Sequence, residues 1–479
     1  MAFQNLRDYL SALQSKGWLH RIQTHVDPIL EIAEITDRVT KAEGPALLFQ
    51  NPTGSTIPAA INLFGHPDRI KLALGISDYQ EIATRIQEFL EPPSPSTLIE
   101  KIQLLPKLVE MSRFPPRLVK SGACQETVIK NPSLDSLPIL KCWPQDGGRY
   151  ITFPLVITKD PETGKRNVGC YRMQVFDSKT TGMHWQIHKD AAKHFRKYKA
   201  LGKRMEVAIA LGADPITLFS AVCPLPPDLD EFLFSGFLRK APVDLVKGHS
   251  VDLEVPAEAE IVLEGYVDPA ETRIEGPFGD HTGFYSLPEP YPVFHLTTMT
   301  QRKDPIYLTT IVGRPPQEDA YLGKAIERIF LPMMRAIFPE MIDMNFPVDA
   351  VFHNCVIVSM KKAYPGHAKK IIHGLWGLGQ LMYTRSIIVV DETVDVQNLH
   401  EVIWWVFNCF DPPRSLVLSE GPLDALDHAS NFPKYGVKVG IDCTKPWPEE
   451  GRTRPWPDAI TMDSAMIKQV TEKWKEYGL

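Results

Sequence analysis

The chain has 479 residues with a formal net charge of −6 at pH 7, and 44% of its residues are hydrophobic. This length exceeds what a single core organises, so it predicts about two to four domains. The slight acidity gives no electrostatic case for binding nucleic acid, and the longest apolar runs fall far short of a membrane span.

Cysteine usage and the amino terminus indicate the compartment. The cysteines are odd in number and never form a C-x-x-C pair; they are Cys124, Cys142, Cys170, Cys223, Cys355, Cys409 and Cys443. Scattered thiols of this kind suit a reducing compartment better than disulfides or a zinc–thiolate site. The first residues lack the basic and then apolar profile of a signal peptide. We therefore expect a cytoplasmic protein.

The opening segment alternates helix and strand. Asn5 can cap a helix whose apolar residues share one face, namely Leu6, Tyr9, Leu10 and Leu13. Asp27 before Pro28 predicts the start of a second helix, because proline is favoured at the first helical position. Residues 46–49 then read as an apolar strand. The pattern predicts a small α/β domain.

A proline-rich segment follows this domain. Residues 92–96 read Pro-Pro-Ser-Pro-Ser, which punctuates the chain as a linker. A helical connector with further prolines is predicted to continue to about residue 120. The first domain is therefore assigned to residues 1–120.

Residues 121–320 are predicted to form a β domain. Their apolar and β-branched runs predict strands at residues 151–158, 168–176, 204–211, 251–255, 260–267, 293–300 and 306–310. Short helical pieces interrupt them at 191–198 and 230–238. Several short strands with few helices are typical of a barrel, and we predict a split β-barrel.

Helix and strand alternate again in residues 321–479. Helices are predicted at 322–338, 367–382 and 399–407, and strands at 355–360 and 386–391. That alternation indicates an α/β layer domain with a mostly parallel sheet. The whole chain is thus predicted to be a multi-domain α/β (α+β) protein.

One turn is unusually rich in chemically useful groups. Residues 274–283 read Ile-Glu-Gly-Pro-Phe-Gly-Asp-His-Thr-Gly and stand between two predicted strands. Glycine permits positive φ and proline fixes φ, so Glu275 and Asp280 can be aimed at one point. Rigid turns between strands often carry binding and catalytic residues. A hairpin with solvated acidic side chains is the alternative.

Arg172 is predicted to be the partner of these acids or of a substrate. On a strand, Cys170 and Arg172 point to one face and Tyr171 to the other. An arginine on a β core needs a partner because an unpaired buried charge is very costly. Its planar fork suits a carboxylate, either Glu275 or one carried by a substrate. A purely structural ion pair is the alternative.

A second group of residues suits a hard metal ion. Residues 183–189 read as a short strand on which His184, Gln186 and His188 share a face, and Glu231 stands at the start of a predicted helix. The alternatives are a hydrogen-bonded structural histidine and a helix-capping glutamate. Asparagine, histidine and glutamate together form a set of nitrogen and oxygen ligands that fits Mn²⁺ or Mg²⁺. Three such ligands leave open positions for phosphate oxygens.

Six separated motifs connect the chain to a known family. They are Leu-Arg-Asp-Tyr-Leu at 6–10, Leu-Gly-Ala-Asp-Pro at 211–215, the run 252–265, Glu-Gly-Pro-Phe-Gly-Asp-His-Thr-Gly at 275–283, Gly-Arg-Pro-Pro at 313–316 and Pro-Gly-His-Ala-Lys at 365–369. With these motifs the chain resembles the UbiD family of decarboxylases over essentially its whole length. The resemblance implies an N-terminal α/β domain, a split-barrel flavin domain and a C-terminal α/β domain that helps the protein to oligomerise.

The resemblance also implies a set of cofactors. Such enzymes bind prenylated FMN, which a separate flavin prenyltransferase of the UbiX type makes, together with Mn²⁺ and often K⁺. By resemblance, the metal that grips the cofactor phosphate is bound by Asn167, His188 and Glu231. The flavin-binding residues would be Cys170, Tyr171, Arg172, His184, Trp185, Gln186, Lys189 and Arg385. Carbonyl groups near Ser220, Ala221 and Cys223 would hold K⁺.

The catalytic roles follow from the same resemblance. Loss of CO₂ from an sp² carbon leaves charge that no side chain can delocalise, so a cofactor must act as the electron sink. Arg172 would orient the substrate carboxylate and lower the pKa of Glu275. Asp280 would donate the proton to the ring carbon. It must then be protonated at some stage, and hence shielded from water or close to another carboxylate.

The substrate is the least specified part of the prediction. The flavin segment reads His184-Trp185-Gln186 and Lys189-Asp190. At these positions the ubiquinone-pathway branch of the family more often has Arg-Trp-Leu and Arg-Gly. Asp280 next to His281 resembles the hydroxybenzoate branch, so a 3-polyprenyl-4-hydroxybenzoate of quinone biosynthesis is expected. Residues 329–338 would border an apolar channel or, as the favoured alternative, form a core helix.

Other functions remain open from the sequence. One is a decarboxylase or reversible carboxylase of a small aromatic or phenolic acid. Others are a flavin reductase or FMN-binding module, for which the acid pair has no use, and a metal-stabilised structural subunit. The expected partners are an aromatic acid, the prenyltransferase and further copies of the chain in a dimer or hexamer, with peripheral membrane contact.

Overall fold

The fold is described from a computed structural model. It describes residues 2–90, 111–112, 114–226 and 228–479. The predicted linker at 92–96 and most of the predicted connector lie outside the described residues. None of the helices in these ranges has the length and apolarity needed to cross a membrane.

The amino-terminal unit is a small sheet covered by helices. Its helices are Leu6–Ser15, Glu31–Lys41, Pro67–Leu74 and Gln80–Leu90, and its strands are Leu19–Val26, Ala46–Pro52 and Ala59–Ile61. Asn5 caps the first helix as predicted, because its side-chain oxygen accepts the Asp8 N–H at 2.9 Å. The strand Tyr307–Leu308 joins the sheet beside Ala59–Ile61, although it follows the central strands in the chain.

The predicted start of the second helix is wrong by a few residues. The helix begins at Glu31 and not at Asp27. The Asp27 carboxylate accepts the N–H of Ile29 at 2.8 Å, which closes a turn before the helix. A short polar side chain that bonds to the backbone two residues on competes with helix formation in this way.

The centre of the molecule is a strongly curved, half-barrel sheet. Among the described residues it has nine strands: Thr127–Ile129, Tyr150–Ile151, Leu155–Lys159, Arg166–Cys170, Met173–Val175, Thr180–Met183, Met205–Leu211, Ile261–Glu275 and Glu289–Gln301. The helices beside it are Asp190–Leu201, Pro215–Ser220 and Glu231–Arg239. A smaller sheet contains Arg117–Leu118, Asp244–Lys247 and Glu254–Pro256. The predicted barrel-like core is confirmed as a half-barrel.

Several strand predictions in this unit are corrected. The predicted strand 151–158 is two strands separated at Pro154, since proline cannot donate to the ladder. The predicted strand 168–176 is broken between Cys170 and Met173, where Arg172 turns toward its partners. The strand predicted at 260–267 continues to Glu275. Residues 184–189 form an irregular turn and not a strand.

The carboxyl-terminal unit is an α/β layer with a mixed sheet. Its strands are Met341–Asn345, Cys355–Met360, Ser386–Asp391, Leu416–Pro422 and Tyr435–Cys443. The middle three of the sheet, Cys355–Met360, Ser386–Asp391 and Tyr435–Cys443, are parallel, and an antiparallel strand lies on each edge. The helices are Glu318–Ile337, His367–Trp376, Leu399–Cys409, Pro412–Ser415 and Ser464–Glu472.

The described residues also contain short 3₁₀ turns. They are Ala123–Gln125, Leu134–Ser136, Val348–Ala350, Gly379–Tyr383, Pro448–Glu450 and Trp474–Tyr477. The helix predicted at 367–382 therefore ends at Trp376, and its last turn is a separate 3₁₀ segment. In the long helix, Ile329, Phe330 and Leu331 are buried in the core. This supports the core-helix alternative for residues 329–338.

Candidate active site

Arg172 is the centre of a buried cluster of charges. It stands at the break between two strands of the half-barrel, and its Nε donates to Oε1 of Glu275 at 2.9 Å. Its Nη2 donates to the other oxygen of Glu275 at 3.3 Å and to Oγ of Ser286 at 3.1 Å. Its Nη1 donates to Asp280. The guanidinium therefore joins both acids of the turn, and its carbon lies 4.5 Å from the centre of the Phe278 ring.

The turn brings the two acids to the same side. Glu275 is the last residue of its strand, and Gly276 follows with a φ of +99°. Only glycine adopts such a conformation readily. Further on, the Gly283 N–H donates to the Asp280 carbonyl at 2.9 Å and the Asp280 N–H to the Phe284 carbonyl at 3.1 Å. These bonds close the turn and direct the Asp280 side chain at Arg172.

Both acids are ionised in this arrangement. Burial alone would raise the pKa of Glu275, but the hydrogen bond with His184 and the charge of Arg172 lower that pKa to about 2. Burial would also raise the pKa of Asp280, and Arg172 and His281 bring it well below its ordinary value. Asp280 is 6% exposed, so it is shielded from water as expected. It rests, however, against an arginine and not against a second acid.

His184 is held on the far side of Glu275. Its Nδ1 lies 3.0 Å from Oε2 of Glu275, and its ring packs on Tyr291 with the ring centroids 4.4 Å apart. Burial and the nearby Arg172 lower the pKa of His184. The sequence singled out His184 only as a flavin-binding position, since its pairing with Glu275 joins residues 91 positions apart.

Two further histidines extend the cluster toward the carboxyl-terminal unit. His281 Nδ1 lies 2.8 Å from Asp280 Oδ1, and its Nε2 is hydrogen-bonded to Nε2 of His353. Thr282 Oγ1 lies 3.1 Å from Nε2 of His428. Sequence reasoning missed His353 and His428, because no local pattern links them to a turn at least 70 residues away.

A cavity of about 200 Å³ is lined by residues that directly precede Arg172 in the chain, but not by Arg172, Glu275 or Asp280. Of the predicted site residues, it is lined by Asn167, Cys170, Tyr171, Lys189, Ala221, Cys223 and Glu231. Arg172 directly follows two of these lining residues in the chain. The structure thus brings a large part of the predicted cofactor set to one place. Ser220 is buried and does not line the cavity.

Two of the three predicted metal ligands share this cavity. Glu231 begins its helix, while Asp230 caps it by accepting the Phe232 N–H at 2.8 Å. One Glu231 oxygen accepts the Val168 N–H at 2.8 Å, next to Asn167. Burial raises the pKa of Glu231 to about 8. Asn167 and Glu231 are hence available to a cation within the cavity.

His188 lies apart from them. It is exposed on the turn before the helix Asp190–Leu201, and its ring centroid is 5.0 Å from that of Tyr383. It borders a separate small pocket, together with Gln186 and Asp424. In the described part of the chain, no three His, Cys, Asp or Glu side chains are arranged to hold a metal ion. The predicted set contains two such residues and an asparagine.

Polar atoms without a partner among the described residues occur on the segment 184–189, of which Lys189 lines the cavity and His184 and Trp185 do not. The Lys189 side chain borders the cavity without a hydrogen bond or ion pair among the described residues, and burial lowers its pKa. Nε1 of Trp185 and Nε2 of His184 are also buried without a partner in that part of the chain. Buried donors without partners are costly. They fit a bound molecule that carries acceptors and an anionic group.

Arg385 lies outside this cavity. It precedes the strand Ser386–Asp391 and forms a two-point ion pair with Asp427, a residue of its own unit. Its Nη1 also donates to the Val437 carbonyl at 3.3 Å. The structure therefore places this predicted phosphate contact away from the lining residues.

Comparisons with known proteins agree with this fold. Residues 10–86, 117–315 and 320–443 match the N-terminal, Rift-related and C-terminal domains of 3-octaprenyl-4-hydroxybenzoate carboxy-lyase. A protein of Archaeoglobus fulgidus is 51% identical over 478 residues, with 99% of each chain covered. The chain belongs to the UbiD family of decarboxylases.

Solved structures extend the comparison to three dimensions. The closed form of the vanillic acid decarboxylase ShVdcCD from Sedimentibacter hydroxybenzoicus is 29% identical, with a TM-score of 0.87, and covers 100% of this chain and 99% of its own. An evolved dimeric form of the UbiD-class enzyme HmfF from Pelotomaculum thermopropionicum, in complex with prFMN, is 28% identical with a TM-score of 0.79; the coverage is 97% of this chain and 98% of that chain. The protein is accordingly a carboxy-lyase of this class.

Proposed function

We propose that the protein decarboxylates a phenolic aromatic acid with prenylated FMN and Mn²⁺ bound at the cavity. The observation that carries the proposal is the contact of one buried arginine with two ionised acids, directly after two residues that line the cavity. A reductase or a simple flavin carrier has no use for such a group. A structural subunit would gain little from it, because a buried ion pair contributes little net stability.

Arg172, Asp280 and Glu275 have separate roles in the proposed reaction. Arg172 can bind a substrate carboxylate in place of one of its present partners. Asp280 is the partner that it would exchange, because Arg172 holds Asp280 through one nitrogen and Glu275 through two. A carboxylate that neutralises Arg172 weakens its hold on Asp280, so the pKa of Asp280 rises and the acid can take up a proton. Asp280 then donates that proton to the ring carbon from which CO₂ has left. Glu275 keeps Arg172 in position throughout.

The cavity residues fit the cofactor and the cation. When bound, prenylated FMN supplies the electron sink that decarboxylation at an sp² carbon requires. Lys189 offers an unpaired ammonium for its phosphate, and the Trp185 indole N–H offers a further donor. Asn167 and Glu231 supply oxygen ligands that suit Mn²⁺. His188 completes the set if the turn at 186–189 shifts toward the cavity, and Ala221 and Cys223 offer carbonyl groups for K⁺.

Two phenolic substrates are worth distinguishing. A 3-polyprenyl-4-hydroxybenzoate of quinone biosynthesis is consistent with the family description. A small phenolic acid, acted on in either direction, is favoured by the structural likeness to a vanillic acid decarboxylase. The burial of Ile329, Phe330 and Leu331 in the core also leaves the first substrate without the apolar channel expected there.

Self-association is part of the proposal. The helix Leu399–Cys409 presents Ile403, Trp404 and Phe407 on one face, and Phe407 is 81% exposed. Exposed apolar patches of this kind mark interaction sites. An evolved form of HmfF is dimeric, which supports a second copy of the chain as the occupant. Light scattering of the wild type and of Phe407→Glu tests this, and an unchanged mass would contradict it.

The function is tested by co-expression with a flavin prenyltransferase. We expect a protein with the absorbance spectrum and intact mass of prenylated FMN that releases CO₂ from phenolic acids. Protein produced without the prenyltransferase serves as the control and should be inactive. The panel should include 4-hydroxybenzoates with and without a prenyl tail. Binding of plain FMN only, with no acid decarboxylated, would contradict the proposal and favour a flavin module.

A further inference from the structure

The proposed reaction consumes one proton in every turnover. A carboxylate leaves as CO₂, and the ring carbon must receive H⁺ in its place. Asp280 is the donor in the proposed mechanism, yet it is 6% exposed and bound to Arg172. Asp280 therefore cannot regain its proton from bulk water without an intermediate group.

His281 is placed to be that group. Its Nδ1 is 2.8 Å from Asp280 Oδ1, and its own peptide N–H donates to the same oxygen at 2.8 Å. Its side chain is 21% exposed, compared with 8% for that of Asp280. Among the described residues, no titratable side chains other than those of Arg172 and His281 are hydrogen-bonded to Asp280. His281 thus lies between the acid and water.

His353 holds the other side of the ring. The two Nε2 atoms are hydrogen-bonded, so only one of them carries the shared proton. The Phe352 ring stacks on His281 with the ring centroids 5.5 Å apart. Val351 and Phe352 have φ values of +55° and +33°, a strained conformation for such residues. Strain of this kind persists where the surrounding structure requires it and is frequent at functional sites.

The charges around the pair decide which ring is protonated. Burial lowers the pKa of His281, but Asp280, and more weakly Asp319 and Asp424, raise it above its ordinary value. Burial and the nearby His281 lower the pKa of His353 to about 4. Lys189 also lowers this pKa, whereas Asp424 and Asp280 raise it. His281 is therefore the more basic ring of the pair and the better donor toward Asp280, and His353 is the better acceptor.

We propose that His281 is the proton source that reloads Asp280 in each turnover, and that His353 orients its ring across the boundary between the two units. The inference rests on the proposed function. The proton leaves Nδ1 of His281 for Oδ1 of Asp280, and Asp280 passes it to the ring carbon. Asp280 is then a carboxylate again, and the neutral His281 regains a proton from water. His281 and His353 act through Asp280 and do not touch the substrate.

A conservative variant separates this role from packing. In His281→Asn the amide nitrogen can replace the Nδ1–H toward Asp280 but cannot supply a proton. We expect kcat to fall by about 10²-fold or more, with KM and cofactor content unchanged. His353→Phe should lower kcat less and shift the alkaline limb of its pH profile downward. His295→Gln, at a histidine paired with Glu271 elsewhere on the half-barrel, is the matched control.

A second measurement does not depend on activity. In protein labelled with ¹⁵N-histidine, we expect the His281 signal to show an imidazolium at pH 7 and to titrate above 6.5, its ordinary pKa. His353→Phe should lower that pKa. A neutral His281 at pH 7, or a His281→Asn enzyme with the wild-type kcat, would overturn the proposal. A wild type inactive on every acid would overturn the proposed function, while the titration would still report on the pair.

Discussion

Arg172 holds Glu275 at two points and Asp280 at one. Its Nε and Nη2 lie 2.9 and 3.3 Å from the oxygens of Glu275, and its Nη1 contacts Asp280. The two-point pair also has His184 behind it. Glu275 is consequently the fixed partner of the arginine, and Asp280 is the acid free to exchange its contact with a substrate carboxylate.

The first prediction concerns Asp280→Asn. The amide still accepts from Arg172 but cannot deliver a proton, so kcat should fall by about 10²–10⁴-fold. Flavin content, read from the absorbance spectrum, should be unchanged. Asp268→Asn is the control, because Asp268 pairs with Arg204 at the surface of the same sheet. Near-normal turnover in Asp280→Asn would remove the proposed role.

The second prediction is an acid sensitivity that depends on Glu275. Its pKa is lowered from 4.5 to about 2 in the folded protein, so the stabilisation is complete above the unfolded pKa and is lost as the pH falls from about 4.5 to about 2. The melting temperature of Glu275→Gln should be lower than that of the wild type at pH 7. The difference should shrink across this window. A difference that does not change with pH would show that Glu275 is not an ionised partner of Arg172.

The third prediction concerns the cation. Glu231→Gln removes the carboxyl ligand from the cavity, so Mn²⁺ affinity should fall by roughly tenfold or more. The metal content of dialysed protein, measured by mass spectrometry, checks this. Glu206→Gln, on the strand Met205–Leu211, is the control, since the Glu206 carboxylate accepts the Asp252 N–H and does not line the cavity. Equal metal content in the two variants would exclude Glu231 as a ligand.

The fourth prediction concerns the cofactor phosphate. Lys189→Met keeps the length of the side chain and removes its charge. Loss of one charge-assisted hydrogen bond of about 1.5–3 kcal/mol should weaken flavin binding by roughly 10–100-fold. Lys193→Met is the matched control, because Lys193 pairs with Asp190 at 2.6 Å on the exposed side of the same helix. Equal flavin content in both variants would contradict the assignment of Lys189.

The local features of this protein could be predicted from residues that are close together in the chain. Asn5 caps the first helix, Gly276 takes the positive φ expected of it, and the half-barrel appears where short strands were predicted. These features depend on residues close together in the chain, and the motif at 275–283 identified the family for the same reason.

The contacts between distant residues became known from the tertiary structure alone. Glu275 joins Arg172 and His184, and Asp280 reaches His353 through His281, although the hydrogen-bonded partners from distant segments are 72 to 103 positions apart. The tertiary structure also placed His188 and Arg385 outside the cavity that holds Asn167 and Glu231. Periodicity and turn chemistry record local conformation. Contacts between distant segments depend on how whole units pack, so the composition of the site became visible only in the folded chain.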